Sequence, residues 1–260
     1  MSKVIGVIGV GHLMSYIVRG WMRAEPDLRI ILSPRSKQRS EELAEAYGLE
    51  IAANNAAVVK QCDIVVVATR PGDLLETVKN LPWSDGQIAV SVAAGVAMSG
   101  LERACAPATV VRSMPVTAAE IGESATTIFP DHDDIRDLFE RVGSVHGFRD
   151  ESVFDLANAH GVVFSVFHAG IQSVASWFEG NGLPADTARE LAAAALKATG
   201  EMVLAHPERS FDEMVAEYST EGSLTRIALE ALRANGGLDG WHDALDKVQV
   251  RCLEINEETG

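Results

Sequence analysis

Over roughly the first half of the chain, short apolar runs alternate with stretches whose apolar positions recur every three to four residues, the pattern of βαβ units around a parallel sheet. Val4 to Ile8, Arg29 to Leu32, Ile64 to Ala68, Ile88 to Val92, Thr109 to Arg112 and Ser124 to Phe129 read as strands. Met14 to Arg23 reads as a helix with Ile17, Val18, Trp21 and Met22 on one side, and Lys37 to Tyr47 as a second, closed by Gly48. Strands this uniformly apolar are covered on both faces, which makes this half α/β.

After about Phe148 the strand pattern stops and only helices are predicted. The change divides the chain into an α/β domain over 1–148 and an all-α domain over 149–260. The helical part opens at Ser152, with Asp155 three residues on in the manner of a capping box. Pro184 starts an alanine-rich helix to about His206, Ser210 with Glu213 caps a short one, and Ser223 to Ala234 forms another. Asn235-Gly-Gly237 then breaks the chain before a last helix to about Ile255. Leu156 to Phe178 carries no Asp, Glu, Lys or Arg and is long enough to span a bilayer. Asn158, His160, Ser165, His168, Gln172, Ser173 and Ser176 interrupt it, so it is expected at the centre of a soluble dimer, with no membrane partner.

Composition narrows the function. The chain has 260 residues, 47% hydrophobic and 23% charged, enough to bury a sizeable core. Its net charge of -15 opposes phosphate backbones, so no nucleic acid is expected as partner. Cys62, Cys105 and Cys252 are odd in number and lack metal-ligand spacing, which points to a reducing, cytoplasmic setting and no bound metal. The apolar opening Val4 to Val10 leads into glycines with no signal-peptidase-like site, and reads as a buried first strand.

The candidate chemistry begins at Gly9-Val-Gly11-His12-Leu13-Met14, between a strand and a helix. Glycines there permit a tight turn and let backbone amides approach a pyrophosphate at the helix N-terminus, although Met14 stands where the dinucleotide fingerprint has its third glycine. His12 is placed to approach the phosphates or to sit in solvent. The end of the second strand reads Ser33-Pro-Arg35-Ser36, hydroxyls and a guanidinium with no carboxylate before Glu41. An acidic residue would suit the ribose hydroxyls of NAD, whereas these donors suit the 2′-phosphate of NADP(H).

Beyond the glycine turn, Ala68-Thr69-Arg70-Pro71, Ser91-Val-Ala-Ala94-Gly95 and Arg112-Ser-Met114-Pro115 follow in order, with Gly182-Leu-Pro184 later. In these motifs and their spacing the chain resembles the pyrroline-5-carboxylate reductases over essentially its whole length. The resemblance implies a Rossmann-like dinucleotide-binding domain followed by an all-α dimerisation domain that interlocks two subunits into a homodimer or higher homo-oligomer. It also implies NADPH as hydride donor, a small-molecule substrate, and reduction of a cyclic imine. It places Asn55 beside the adenosine ribose, and Ala68, Thr69, Arg70, Pro71, Ala94 and Gly95 along the cofactor.

The departures from that family cluster around the substrate. Its Ser-Gly-Ser-Gly-Pro-Ala-Tyr stretch corresponds to Gly161 to Phe167, and the Asn after its Met-Pro is Val116. Its Ser-Pro-Gly-Gly-Thr-Thr loop, which grips a substrate carboxylate and bonds the imine nitrogen through its last threonine, becomes Ser219-Thr220-Glu221-Gly222-Ser223-Leu224. Glu221 would repel an anionic substrate by about 1–4 kcal/mol when partly desolvated, so pyrroline-5-carboxylate itself is disfavoured. Glu221 is instead a candidate partner for a cationic iminium, with Ser223 and Thr225 donating hydrogen bonds; its alternative role is that of an acid favourable to a helix N-terminus. Hydride transfer needs no protein nucleophile, so a missing triad is no obstacle. His160 and His168 share a helix face without a third ligand, Tyr218 stands beside the altered loop, and Lys197 lies in an alanine-rich helix without a partner. Two other readings stay open: a non-catalytic NADP-binding or sensor protein, and a dehydrogenase of a small hydroxy or keto acid.

Overall fold

A computed structural model describes residues 3–260. The strands are β1 Ile5–Ile8, β2 Ile30–Leu32, β3 Glu50–Ile51, β4 Ile64–Val67, β5 Ile88–Ser91, β6 Thr109–Met114, β7 Thr126–Phe129 and β8 Val145–Gly147. They form one sheet in the order β3-β2-β1-β4-β5-β6-β7-β8. All neighbours are parallel except β6 and β7. The order reverses between β1 and β4, which is where a doubly wound sheet opens a crevice at the carboxyl ends of its strands.

Helices α1 His12–Ala24, α2 Lys37–Tyr47, α3 Asn55–Gln61, α4 Pro71–Val78, α5 Met98–Cys105 and α6 Asp133–Glu140 alternate with these strands. Alternating side chains of the strands feed two cores. Ile5, Val7, Val66, Val90 and Val111 meet Met14, Ile17, Trp21 and Phe139 on one face. Ile8, Val65, Val67, Ala89 and Val110 meet Val58, Val59, Leu74, Val78 and Leu101 on the other. Both faces are therefore dry, which is why β1, β4 and β5 are apolar at nearly every position. Gly20 lets α1 approach the 3-10 turn Thr117–Ile121: a Cβ there would overlap the Ala119 carbonyl.

The helical part comprises α7 Glu151–Ala157, α8 His160–Gly180, α9 Ala185–Ala205, α10 Phe211–Tyr218, α11 Leu224–Ala234 and α12 Gly240–Thr259. The capping box of Ser210 with Glu213 is present. The start of α7 differs from the sequence expectation. Asp150, not Ser152, is the N-cap, accepting from the amides of Ser152 and Val153. The Ser152 hydroxyl also donates to Asp150, and this bond with the two amide bonds holds the Asp150 carboxyl below its ordinary range. The uncharged stretch is also not one helix. It breaks at Asn158 and Ala159, because Asn158 is drawn to β7, where its Oδ1 accepts from the Thr127 hydroxyl at 2.7 Å.

The strand pattern ends with β8 and the helices begin at Glu151, where the composition changes. The compact units are drawn differently. One runs to Gly161 and takes in Val248–Gly260; the other is Val162–Lys247. Helix α7 and the end of α12 thus pack with the sheet, a grouping that tertiary contact decides and composition does not show. In the second unit Val166, Phe167, Val174, Trp177, Leu191, Leu204 and Ile227 are exposed. Glu151–Gly180 is long and apolar enough to cross a membrane by length and composition.

Candidate active site

The first unit carries a cleft of ≈ 430 Å³ lined by Gly9, Gly11, Arg35, Ser36, Ala68, Thr69, Arg70 and Asp73. Apart from Asp73, which lies in the first turn of α4, these residues come from the turns after β1, β2 and β4, the carboxyl edge of the sheet on both sides of the switch point. Gly9 has φ +91, and a Cβ on it would come within 2.8 Å of the Ala68 carbonyl oxygen, so only glycine fits. Gly11 is the N-cap of α1 and has no side chain to satisfy the amides of the first turn. Those amides, at the positive end of the helix dipole, are what an anionic pyrophosphate would use. The fit to a dinucleotide therefore rests on a cradle free of Cβ atoms, together with the Thr69 hydroxyl, which is buried at the cleft without a hydrogen-bond partner.

Of the sequence-predicted residues, Gly9, Gly11, Arg35, Ser36, Ala68, Thr69 and Arg70 line this cleft, and the others have different surroundings. His12 is exposed, its ring edge-on to Tyr16 at 4.9 Å, and Leu13 is half-buried. Met14 is fully buried in the core under the sheet, so the place of the fingerprint's third glycine is taken by an apolar side chain that packs. Ser33 is fully buried as well. Its hydroxyl accepts the Gly9 amide at 3.1 Å, and its carbonyl accepts from Ser40 at 2.9 Å. That makes Ser33 a brace for the glycine turn, whereas Arg35 stays exposed beside it. Ser36 is the N-cap of α2 but makes no side-chain capping bond, and the first turn of α2 has no acid.

Asn55 opens α3 and shares a shallow hollow with Pro34, Arg35, Asn54 and Ala56. The capping bond of that helix comes from Asn54, whose side chain accepts from the Ala57 amide, so the Asn55 amide is not spent on the cap. Arg70 is the N-cap of α4 and Pro71 its first residue. Ala94 and Gly95 lie in the turn after β5. Gly95 has φ +76 and faces α12: a Cβ there would come within 2.9 Å of Ile255 Cβ.

Asp73 and Arg112 stand outside the sequence-predicted site residues, although Arg112 opens the Arg112-Ser-Met114-Pro115 motif. Asp73 lines the cleft from the first turn of α4, where an acid after Pro71 is an ordinary helix-start signal and gave no sign of a site. Arg112 is 1% exposed and pairs with Glu151 and Asp155, both at 2.6 Å, with its guanidinium 4.8 Å from the centre of the Phe154 ring. Its partners lie 39 and 43 residues away, beyond any local pattern.

Glu221, Ser223 and Thr225 lie in the second unit. Ser223 caps α11, its Oγ accepting from the Arg226 amide at 3.2 Å. Glu221 and Thr225 are exposed, Gly222 turns the chain with φ +76, and Leu224 is 84% exposed. His160 donates through Nδ1 to the Ala157 carbonyl at 3.0 Å, leaving Nε2 buried without a partner. Among the described residues no group of three or more His, Cys, Asp or Glu is close enough to hold a metal.

Comparison with known proteins agrees with this architecture. Residues 4–95 match the family described as NADP oxidoreductase coenzyme F420-dependent, and residues 151–255 match pyrroline-5-carboxylate reductase dimerisation. A pyrroline-5-carboxylate reductase of Thermus thermophilus is 29% identical, covering 97% of each chain. The crystal structure of 1-pyrroline-5-carboxylate reductase from Streptococcus pyogenes superposes with a TM-score of 0.83 at 25% identity, over 97% of this chain and 98% of that one. The Plasmodium falciparum pyrroline carboxylate reductase, solved with NADP bound, has a TM-score of 0.85 at 20% identity over 98% of each chain and so shares the fold. With residues 151–255 matched to that family's own dimerisation domain and the likeness running from end to end, the chain is similar to the pyrroline-5-carboxylate reductases over essentially its whole length, as a divergent relative.

Proposed function

We propose that this protein is an NADPH-dependent reductase of the C=N bond of a small cyclic imine, working in the cytoplasm as a homodimer or higher homo-oligomer. The observation that carries the reading is the cleft itself. A cradle of glycines at the N-terminus of α1 opens toward Arg35 and Ser36, donors at a helix start whose first turn carries no acid, while the Asp73 carboxylate lines the same cleft from α4. Arg35 and Ser36 would hold a 2′-phosphate and the amides of α1 the pyrophosphate, leaving Asn55 to the adenosine ribose. The nicotinamide supplies the hydride when bound. The chain's own work is to position the imine carbon and to favour a proton on its nitrogen.

For that second task Glu221 offers a carboxylate on an exposed turn, suited to a cationic iminium. The Ser223 oxygen accepts the capping amide, and its own proton remains to be donated to a substrate. Thr225 stands next to it on the first turn of α11. Association of two copies is supported by the exposed apolar side chains of the second unit and by the dimerisation match. The same covering accounts for the long apolar segment ending at Gly180 without a membrane.

The decisive assay is NADPH oxidation by the purified protein, with Δ1-pyrroline-5-carboxylate beside uncharged and cationic cyclic imines at equal concentration, and NADH as the control cofactor. Turnover of the imines lacking a carboxylate, with NADPH preferred, is expected. Cofactor binding with no oxidation across the panel would overturn the enzymatic reading, and preference for pyrroline-5-carboxylate would overturn the role given to Glu221.

A further inference from the structure

Helix α5 begins at Met98 behind Ala97, a residue with no side-chain oxygen to cap it. A helix start without a cap leaves amide donors to be satisfied from elsewhere. Two of them, the amides of Ala97 and Met98, are satisfied by distant parts of the chain. The Ala97 amide donates to Thr259 Oγ1 at 2.9 Å, 162 residues on. The Met98 amide donates to Glu151 Oε1 at 2.8 Å, 53 residues on. That same Glu151 oxygen accepts from the buried Arg112 at 2.6 Å, which fixes its position.

The approach of α12 is equally specific. A Cβ on Gly100 would overlap the Thr259 carbonyl, and one on Gly95 would come within 3.1 Å of the Cys252 carbonyl oxygen. Arg103 donates to the Gly260 carbonyl at 2.9 Å, and the Thr259 hydroxyl donates to the Ile255 carbonyl at 2.8 Å. All these residues belong to the unit that holds the sheet.

The segment so held is the turn from β5 to α5. The pyrophosphate cradle follows β1 and the 2′-phosphate donors follow β2, so a dinucleotide crossing the switch point places its other half toward β4, β5 and β6. The Ala93–Met98 turn lies on that side. We infer that Thr259 and Glu151 are positioning residues for the nicotinamide half of the site: they accept from outside the amides of Ala97 and Met98 at the start of α5, and the last turn of α12 fixes the Ala94–Gly95 turn against which the nicotinamide end packs. This inference rests on the proposed cofactor reading and adds a device to it. Grip on the reactive half of the cofactor is set by the end of α12, and grip on the adenosine half is not.

The experiment is Thr259→Val in the full chain, with Thr259→Ser as the conservative variant. Affinities are measured separately for NADPH and for 2′,5′-ADP, which carries only the phosphorylated adenosine half. Valine keeps the shape and removes the oxygen that accepts from Ala97. NADPH affinity should fall roughly fivefold, the size of a lost hydrogen bond, with 2′,5′-ADP affinity within about twofold of wild type and serine restoring both values. Unchanged NADPH affinity in the valine variant would overturn the inference, and so would an equal loss of both ligands, since that is loosening of the whole domain. A wild-type chain that binds neither ligand sinks the cofactor reading and this inference with it. A wild-type chain that binds NADPH but reduces no imine sinks only the substrate reading, and the two affinities still decide the role of Thr259.

Discussion

The amide of Gly9 donates to the hydroxyl of Ser33 at 3.1 Å, tying the glycine turn after β1 to the end of the neighbouring strand. Gly9 is held at φ +91 with no room for a side chain, so this bond is one of the few constraints available to keep the turn open for a ligand.

Ser33→Ala should therefore weaken NADPH binding and lower stability together. A part-buried amide left without its acceptor costs about 1–2 kcal/mol, below the full penalty of a buried donor. In a chain of this size that is on the order of 5 °C in Tm. Differential scanning calorimetry with and without NADPH tests it. An unchanged Tm in the absence of cofactor would show that the bond does not brace the turn.

Arg35 is exposed beside the cleft, and its part in binding is a matter of charge. Arg35→Ala should raise KM for NADPH about tenfold or more, as loss of a charge-assisted bond to phosphate does, and leave KM for NADH within about twofold. An equal rise for both cofactors would mean that Arg35 shapes the cleft and does not select the 2′-phosphate.

The central strands are legible in the sequence because burial on both faces leaves few polar positions in β1, β4 and β5. Lys37–Tyr47 is legible to the residue because Gly48, at φ 68, ends it. Helices α3 to α6 are not, having two turns or so each, too few for a period to emerge. The edge strands β3 and β8 have two and three residues. At the site, residue type pointed to Ser33, but only the structure shows that it is fully buried with its hydroxyl accepting from Gly9. The anchoring of the start of α5 was invisible for a different reason. Ala97 gives no local signal, and Thr259 and Glu151 become its partners only through folding.

Glu221→Gln keeps the shape of the turn after α10 and removes its charge. If the carboxylate pairs with a cationic iminium, KM for cationic imines should rise about three- to tenfold. Affinity for a carboxylated imine should improve at the same time, because repulsion is relieved. Steady-state kinetics with both substrate types separate this from a helix-dipole role, in which neither KM moves and only the thermal stability changes slightly.

Cys62 and Cys105 are buried in the core on one face of the sheet, and burial pushes both thiols up to about 12 from an ordinary value of 9.0. Between pH 9 and 12 the unfolded chain loses these protons while the folded chain keeps them. The folded state then binds more protons than the unfolded one, so stability is fully present below pH 9 and falls as pH rises above it. The slope should approach 1.4 kcal/mol per pH unit for each thiol, approximately. Other groups titrate in the same window, so the informative quantity is the difference from the Cys62→Ala/Cys105→Ala double variant. That variant should be less stable at pH 8, because a filled core loses volume, and should lose less stability between pH 9 and 10.5. Urea melts at three pH values across that range test it. Parallel stability curves for the two proteins would show that the thiols ionise equally in both states, and that burial does not hold their protons.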